Sequence, residues 1–201
     1  TGCPAPVFCR DPAPGHYDFL SRFGNITTDE EVFFQPGIDL IVVLDSGDTA
    51  YAGVHEIFAR LASSISIINI DHHATNQHYG ELNLVDAGAS STAEVVYKFF
   101  THNGVRVDKH MATALLSGIL TDTTNFTNPG TTVSSMSAAS DLVGLGARAN
   151  DISKYLLKNK SIDALRLWGR ALARLEENKR FNMAIAVIKR EDLAGIESES
   201  E

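Results

Sequence analysis

A chain of 201 residues, 44% hydrophobic and 21% charged, can close a substantial core and is unlike either a disordered or a membrane sequence. A formal net charge of −8 excludes a surface that attracts duplex DNA along its length, but leaves room for a local site that binds a small phosphate-bearing ligand. Cys3 and Cys9 match neither a common zinc spacing nor a disulfide framework. With no apolar run of bilayer length and no charged-then-apolar leader, the expected setting is the cytoplasm, away from membranes.

In chain order, Pro4, Pro6, Pro12 and Pro14 exclude a regular helix at the start and allow only a short edge strand near Val7 and Phe8. A short helix is expected at 17–23. Residues 38–44, almost all Ile, Leu and Val, predict a strand covered on both faces, ending at Asp45. A helix over 51–62 follows, with Val54, Ile57, Phe58 and Leu61 on its apolar side. A second buried strand over 65–70 then runs into Asp71, His72 and His73. Strand, helix and strand of this length make a parallel βαβ unit, which brings Asp45 and Asp71 side by side at one sheet edge.

Beyond it, 82–85 reads as a short strand, and Ser91-Thr92-Ala93-Glu94 as a capping box opening a helix over 92–102. Further helices are expected over 108–120, 132–145, 151–159 and 161–178, and a strand over 183–188. The first of these runs into Thr121-Asp122-Thr123-Thr124, which puts Asp122 on a polar terminus. Trp168 belongs to an apolar stripe and is read as a packing anchor; the region of Leu172 and Leu175 is a candidate homodimer surface.

Asp45, Asp71, His72, His73 and Asp122 are the acids and imidazoles that this topology collects at one edge. Carboxylate and imidazole without thiolate suit manganese or a similar divalent ion, with magnesium or cobalt as substitutes. Such a site favours phosphoester hydrolysis. Asp45 and Asp48 also have a plain reading as helix caps, the stronger for Asp48. Because neighbouring side chains diverge, at most one of His72 and His73 is expected to be a ligand, the other facing substrate. His16, His55, His78, His102 and His110 read as surface or loop residues.

Four patterns in order, Val42-Val-Leu-Asp45-Ser-Gly-Asp, Asp71-His-His, Ser90-Ser-Thr-Ala-Glu94 and Gly118-Ile-Leu-Thr-Asp122-Thr-Thr-Asn-Phe126, together resemble the DHH superfamily of phosphoesterases. Within it they are most similar to the branch of nanoRNase and pAp-phosphatase proteins and cyclic-di-AMP phosphodiesterases. The resemblance implies an α/β fold, a doubly wound, mostly parallel sheet flanked by helices, and two manganese ions. It implies Asp45 as the ligand bridging both ions, His72 and Asp122 as ligands of the second, and His73 and Asp71 as the catalytic pair. In that pair His73 contacts the scissile phosphate and Asp71 orients a histidine. The implied substrates are small nucleotides: very short RNA, pAp or cyclic di-AMP. Manganese pyrophosphatase or polyphosphatase activity, and nucleotide binding without catalysis, are the alternatives.

The family's first motif, a His followed by Asp-x-Asp, and its C-terminal glycine-rich motif are absent from these residues. The expected organisation is therefore a DHH catalytic domain at 1–160 without its first strand, a linker helix at 161–180, and the start of a truncated substrate-binding domain at 181–201. Without the first strand, residues 7–8 are expected to lack a pairing partner. This stretch by itself is expected to bind one metal ion weakly and hydrolyse little.

Overall fold

The computed structural model describes residues 5–20, 26–61, 63–157 and 161–193. They belong to two compact units, Thr1–Leu157 and Lys158–Glu201.

The first unit is built on a parallel three-stranded sheet ordered β3-β4-β5, from β3 (Leu40–Leu44), β4 (Ser66–Asp71) and β5 (Leu82–Val85). Ile41 pairs with Ile67 and Leu44 with Ile70, so the two strands end together and deliver Asp45 and Asp71 to the same edge. Helices flank the sheet. α1 (His55–Arg60) connects β3 to β4, and α2 (Thr92–His102) packs against β4 and against α3 (Lys109–Asp122). α4 (Val133–Gly144) and α5 (Ala149–Ile152), the latter continued by a π-helical turn at Ser153–Leu157, complete the helical layer. The main core lies between these helices, where Leu116, Ile119, Leu142 and Ile152 are buried.

Local chemistry explains the helix ends. Ser91 accepts the Glu94 N–H, Asp108 accepts those of His110 and Met111, and Thr132 and Ser135 form a reciprocal capping box. α1 is shorter than the expected 51–62 because Asp48 Oδ1 captures the Tyr51 N–H at 2.7 Å and Gly53 takes φ +70°, outside helical space. Gly118 is needed for the α2–α3 contact: a Cβ there would lie 2.6 Å from the Ala93 Cβ.

Two strand expectations are corrected. Leu40, Val42 and Leu44 of β3 are about half exposed, so only alternate residues of this strand face the core; β3 is the sheet's edge among the described residues. Residues 7–8 do have a partner: β1 (Val7–Phe8) pairs in parallel with β2 (Ile26–Thr27), and the Cys9 N–H continues the ladder to the Thr27 carbonyl. Of the helix expected at 17–23, a single 3-10 turn forms at Gly15–Tyr17, and residues 21–23 lie outside the described residues.

In the second unit, α6 (Ile162–Ala173) starts at the Ser161 cap and ends before the expected 178, because the chain turns into a hairpin of β6 (Glu176–Asn178) with β7 (Met183–Ile185). Asp192 accepts from the Arg174 guanidinium and the Lys189 N–H, and the guanidinium beside it holds its carboxyl down to about 2. Among the described residues no helix is long and apolar enough to cross a membrane.

Candidate metal centre

At the end of β3 the Asp45 N–H still donates to the Ile70 carbonyl at 3.0 Å, after which the backbone of Asp45 turns to φ +62°. A short polar side chain is among the few that tolerate this left-handed conformation, which costs about 1–3 kcal/mol. The turn leaves the Asp45 carboxylate at the sheet edge, where Oδ1 accepts the Thr92 hydroxyl at 2.6 Å.

Asp71, the last residue of β4, is fully buried. Its Oδ1 accepts the His72 N–H at 2.8 Å and His73 Nδ1 at 2.7 Å, and its Oδ2 accepts Asn76 Nδ2 at 2.6 Å. Burial alone would raise the Asp71 carboxyl, but these donors together hold it below the usual carboxylate value. The same hydrogen bond raises the pKa of the His73 imidazole, against its own burial. Asn76 also donates to Asn69 Oδ1 at 2.7 Å, and Asn69 donates to the Ser46 carbonyl and the Tyr79 hydroxyl. This buried polar network ties the loop after β3 to the loop after β4.

His72 is held differently. Its Nδ1 lies 3.4 Å from the Ala89 carbonyl, which can only accept, so this contact favours the form with a proton on Nδ1. Its Nε2 is then turned toward Asp45 Oδ1 at 3.6 Å and Asp122 Oδ2 at 3.3 Å. The two rings lie 4.5 Å apart between centroids, and one ligand atom from each of Asp45, His72 and His73 falls within 4.8 Å of the others. Strand alternation does not separate the two histidines because β4 ends at Asp71, and both lie beyond its paired residues.

Asp122 arrives from the last turn of α3. Its carbonyl accepts Asn128 Nδ2 at 2.6 Å, and Thr124, Asn125 and Phe126 all take left-handed φ between 48° and 63°, a tight reversal just beyond the carboxylate. Burial and then the negative charge of Asp45 raise the Asp122 carboxyl, against the pull of His72 and His73. Carboxylates that crowd one another, beside imidazoles whose Nδ1 atoms are both engaged, form a donor set suited to a divalent cation.

All five residues singled out in the sequence therefore lie together, with Asp71 beneath the cluster and the other four around it. His16, His55, His78, His102 and His110 are outside it, exposed or half-buried. Sequence reasoning missed Thr92, which looked like part of a cap, and the Asn69-Asn76-Tyr79 network. Asn69 carried a usable signal, since an amide inside an isoleucine-rich strand must find partners when buried.

Fold and site thus define an α/β domain with a carboxylate–imidazole centre at the C-terminal edge of a parallel sheet. Residues 10–119 match the DHH family, N-terminal domain, and the chain belongs to that family. It is 39% identical over 90 residues to the bifunctional oligoribonuclease and PAP phosphatase NrnA of Thermus thermophilus, covering 45% of this chain and 28% of that protein. It is 32% identical over 162 residues to the cyclic-di-AMP phosphodiesterase PdeA of Listeria monocytogenes, covering 73% of this chain and 24% of that protein. The chain thus spans about a quarter of the length of these curated relatives. The crystal structure of an exopolyphosphatase-related protein from Bacteroides fragilis has the same fold, with a TM-score of 0.83 at 23% identity over 94% of this chain and 57% of that one.

Proposed function

We propose that the protein is a manganese-dependent phosphoesterase that hydrolyses small nucleotide phosphoesters, in the range of a very short oligoribonucleotide, pAp or cyclic di-AMP. One observation carries the reading. His72 Nε2 faces Asp45 Oδ1 and Asp122 Oδ2, while the neighbouring His73 is anchored separately through Nδ1 on the buried Asp71 carboxylate, so three metal-type donors converge beside a second, independently oriented imidazole. The names of the relatives support the substrate range.

Asp45, His72 and Asp122 would hold the metal. A divalent ion there supplies Lewis acidity and activates water for attack on phosphorus. His73 faces the substrate phosphate: with Nδ1 anchored on Asp71, its ring is oriented and its raised pKa favours the cation, so Nε2–H can donate to a phosphoryl oxygen. Asp71, buried and ionised, keeps that ring in place through each turnover. Thr92 restricts the Asp45 carboxylate to one orientation.

The test is an assay of the full-length protein with manganese and, separately, a diribonucleotide, pAp and cyclic di-AMP. The expected result is manganese-dependent release of mononucleotide or phosphate from at least one of them, lost in Asp45→Asn and slowed without loss of metal in His73→Ala. Turnover of none, or turnover that survives Asp45→Asn, contradicts the proposal.

A further inference from the structure

Glu94 was expected only to close a capping box, yet its side chain is fully buried and does something else. In a capping box the glutamate at the third helical position returns to the N–H of the cap residue, here Ser91. Glu94 Oε2 instead accepts the Ser90 N–H, one residue earlier, at 2.8 Å. Its Oε1 accepts the Ser134 hydroxyl of α4 at 2.6 Å and Lys98 Nζ at 2.8 Å. Lys98 also reaches Asp86 Oδ2 at 3.2 Å, at the other end of the same short loop. Three donors overcome the burial that would otherwise raise the Glu94 carboxyl, and bring it down to about 2.

The loop so clamped carries the Ala89 carbonyl, the group that meets His72 Nδ1. We propose that Glu94 is a positioning residue for the metal centre: by holding the Ser90 N–H it fixes the adjacent Ala89 carbonyl, which keeps His72 in its Nδ1–H form with Nε2 turned to Asp45 and Asp122. The inference rests on the reading of these residues as a metal site. A cap by itself would not need it, since Ser91 already satisfies the helix start. A carboxylate isolated from water would be costly unless all its partners were present, as they are.

The test has two readouts on the full-length protein: manganese affinity by calorimetry, and the tautomer of His72 in the metal-free protein by imidazole nitrogen NMR at alkaline pH. Glu94→Ala removes the acceptor. Glu94→Asp keeps the charge but shortens the reach, and serves the same comparison if the alanine variant does not fold. Glu94→Gln retains an acceptor for the Ser90 N–H, and Ser134→Ala loosens α4 without touching the loop. The expected result is manganese affinity lowered about 10-fold in Glu94→Ala and Glu94→Asp, with His72 losing its Nδ1–H signature. Glu94→Gln and Ser134→Ala should stay within about 2-fold of the parent, below the roughly 10–100-fold expected when an outer contact to a metal ligand is lost. Equal loss in Ser134→Ala would show general loosening and overturn the proposal, as would an unchanged His72 tautomer in Glu94→Ala and Glu94→Asp. Absence of manganese binding by the parent would instead strike the metal reading, and is distinguished by the tautomer result, which needs no metal.

Discussion

The Thr92 hydroxyl donates to Asp45 Oδ1 across 2.6 Å, joining the first turn of α2 to the end of β3. Thr92 is buried, while the Asp45 side chain is more than half exposed, so the hydroxyl is the rigid partner and the carboxylate the one being restrained. Thr92→Val keeps the shape and deletes the donor. It should weaken manganese binding about 10-fold, as the loss of an outer hydrogen bond to a metal ligand does, while changing stability by only about 1 kcal/mol. Thr92→Ser should restore the affinity, which titration calorimetry on the three proteins would show.

The Asp71–His73 pair sets a pH window in the metal-free protein. His73 is raised from 6.5, so its contribution is complete below that value and is lost as pH rises through the folded pKa. Asp71 is lowered from 3.8, so its contribution is present above that value and is lost as pH falls through its folded pKa. The pair therefore stabilises the fold most between the two ordinary values. Asp71→Asn should bring the His73 titration midpoint down toward 6.5, measured from the imidazole proton shifts. A midpoint unchanged by the substitution would mean that Asp71 does not control this ring.

Glu94 dominates a different window. Its carboxyl falls from 4.5 to about 2 on folding, so the unfolded chain binds the extra proton between those values and stability drops as the solution is acidified through them. For a fully buried group the shift corresponds to about 3 kcal/mol. Urea unfolding as a function of pH should show this acid slope in the parent and a shallower one in Glu94→Gln, which cannot ionise.

Gly118 tests how closely the helices that carry Thr92 and Asp122 must approach. Gly118→Ala places a methyl against Ala93 and should cost about 1–3 kcal/mol by overpacking. Gly169→Ala, inside α6 with nothing within 4 Å of the added carbon, should instead gain about 0.5–1 kcal/mol from helix propensity. Comparing chemical denaturation of the two variants separates a packing requirement from a general preference for alanine.

Much of this was legible in the residues. Isoleucine-rich runs ending in Asp45 and Asp71 implied parallel strands with their functional ends together, and the capped helices at 92–102 and 108–120 fell close to where they form. What the sequence hid was contact at a distance. Nothing local says that the Thr92 hydroxyl meets Asp45, or that Glu94 accepts from Ser134 of α4, because both depend on how α2 packs against elements distant in the chain. The pairing of β1 with β2 was hidden for the same reason, since two-residue strands carry too little pattern to announce a partner. The closeness of the two imidazole rings, 4.5 Å between centroids, was hidden as well, because both residues follow the last paired residue of β4 and strand alternation does not reach them.

The most direct test is anomalous diffraction at the manganese edge from crystals grown with the metal. The account predicts a peak at coordinating distance, about 2.0–2.2 Å, from Asp45, His72 Nε2 and Asp122 together. A manganese peak held by other residues, or fully ordered side chains at this site with no peak among them, would contradict it.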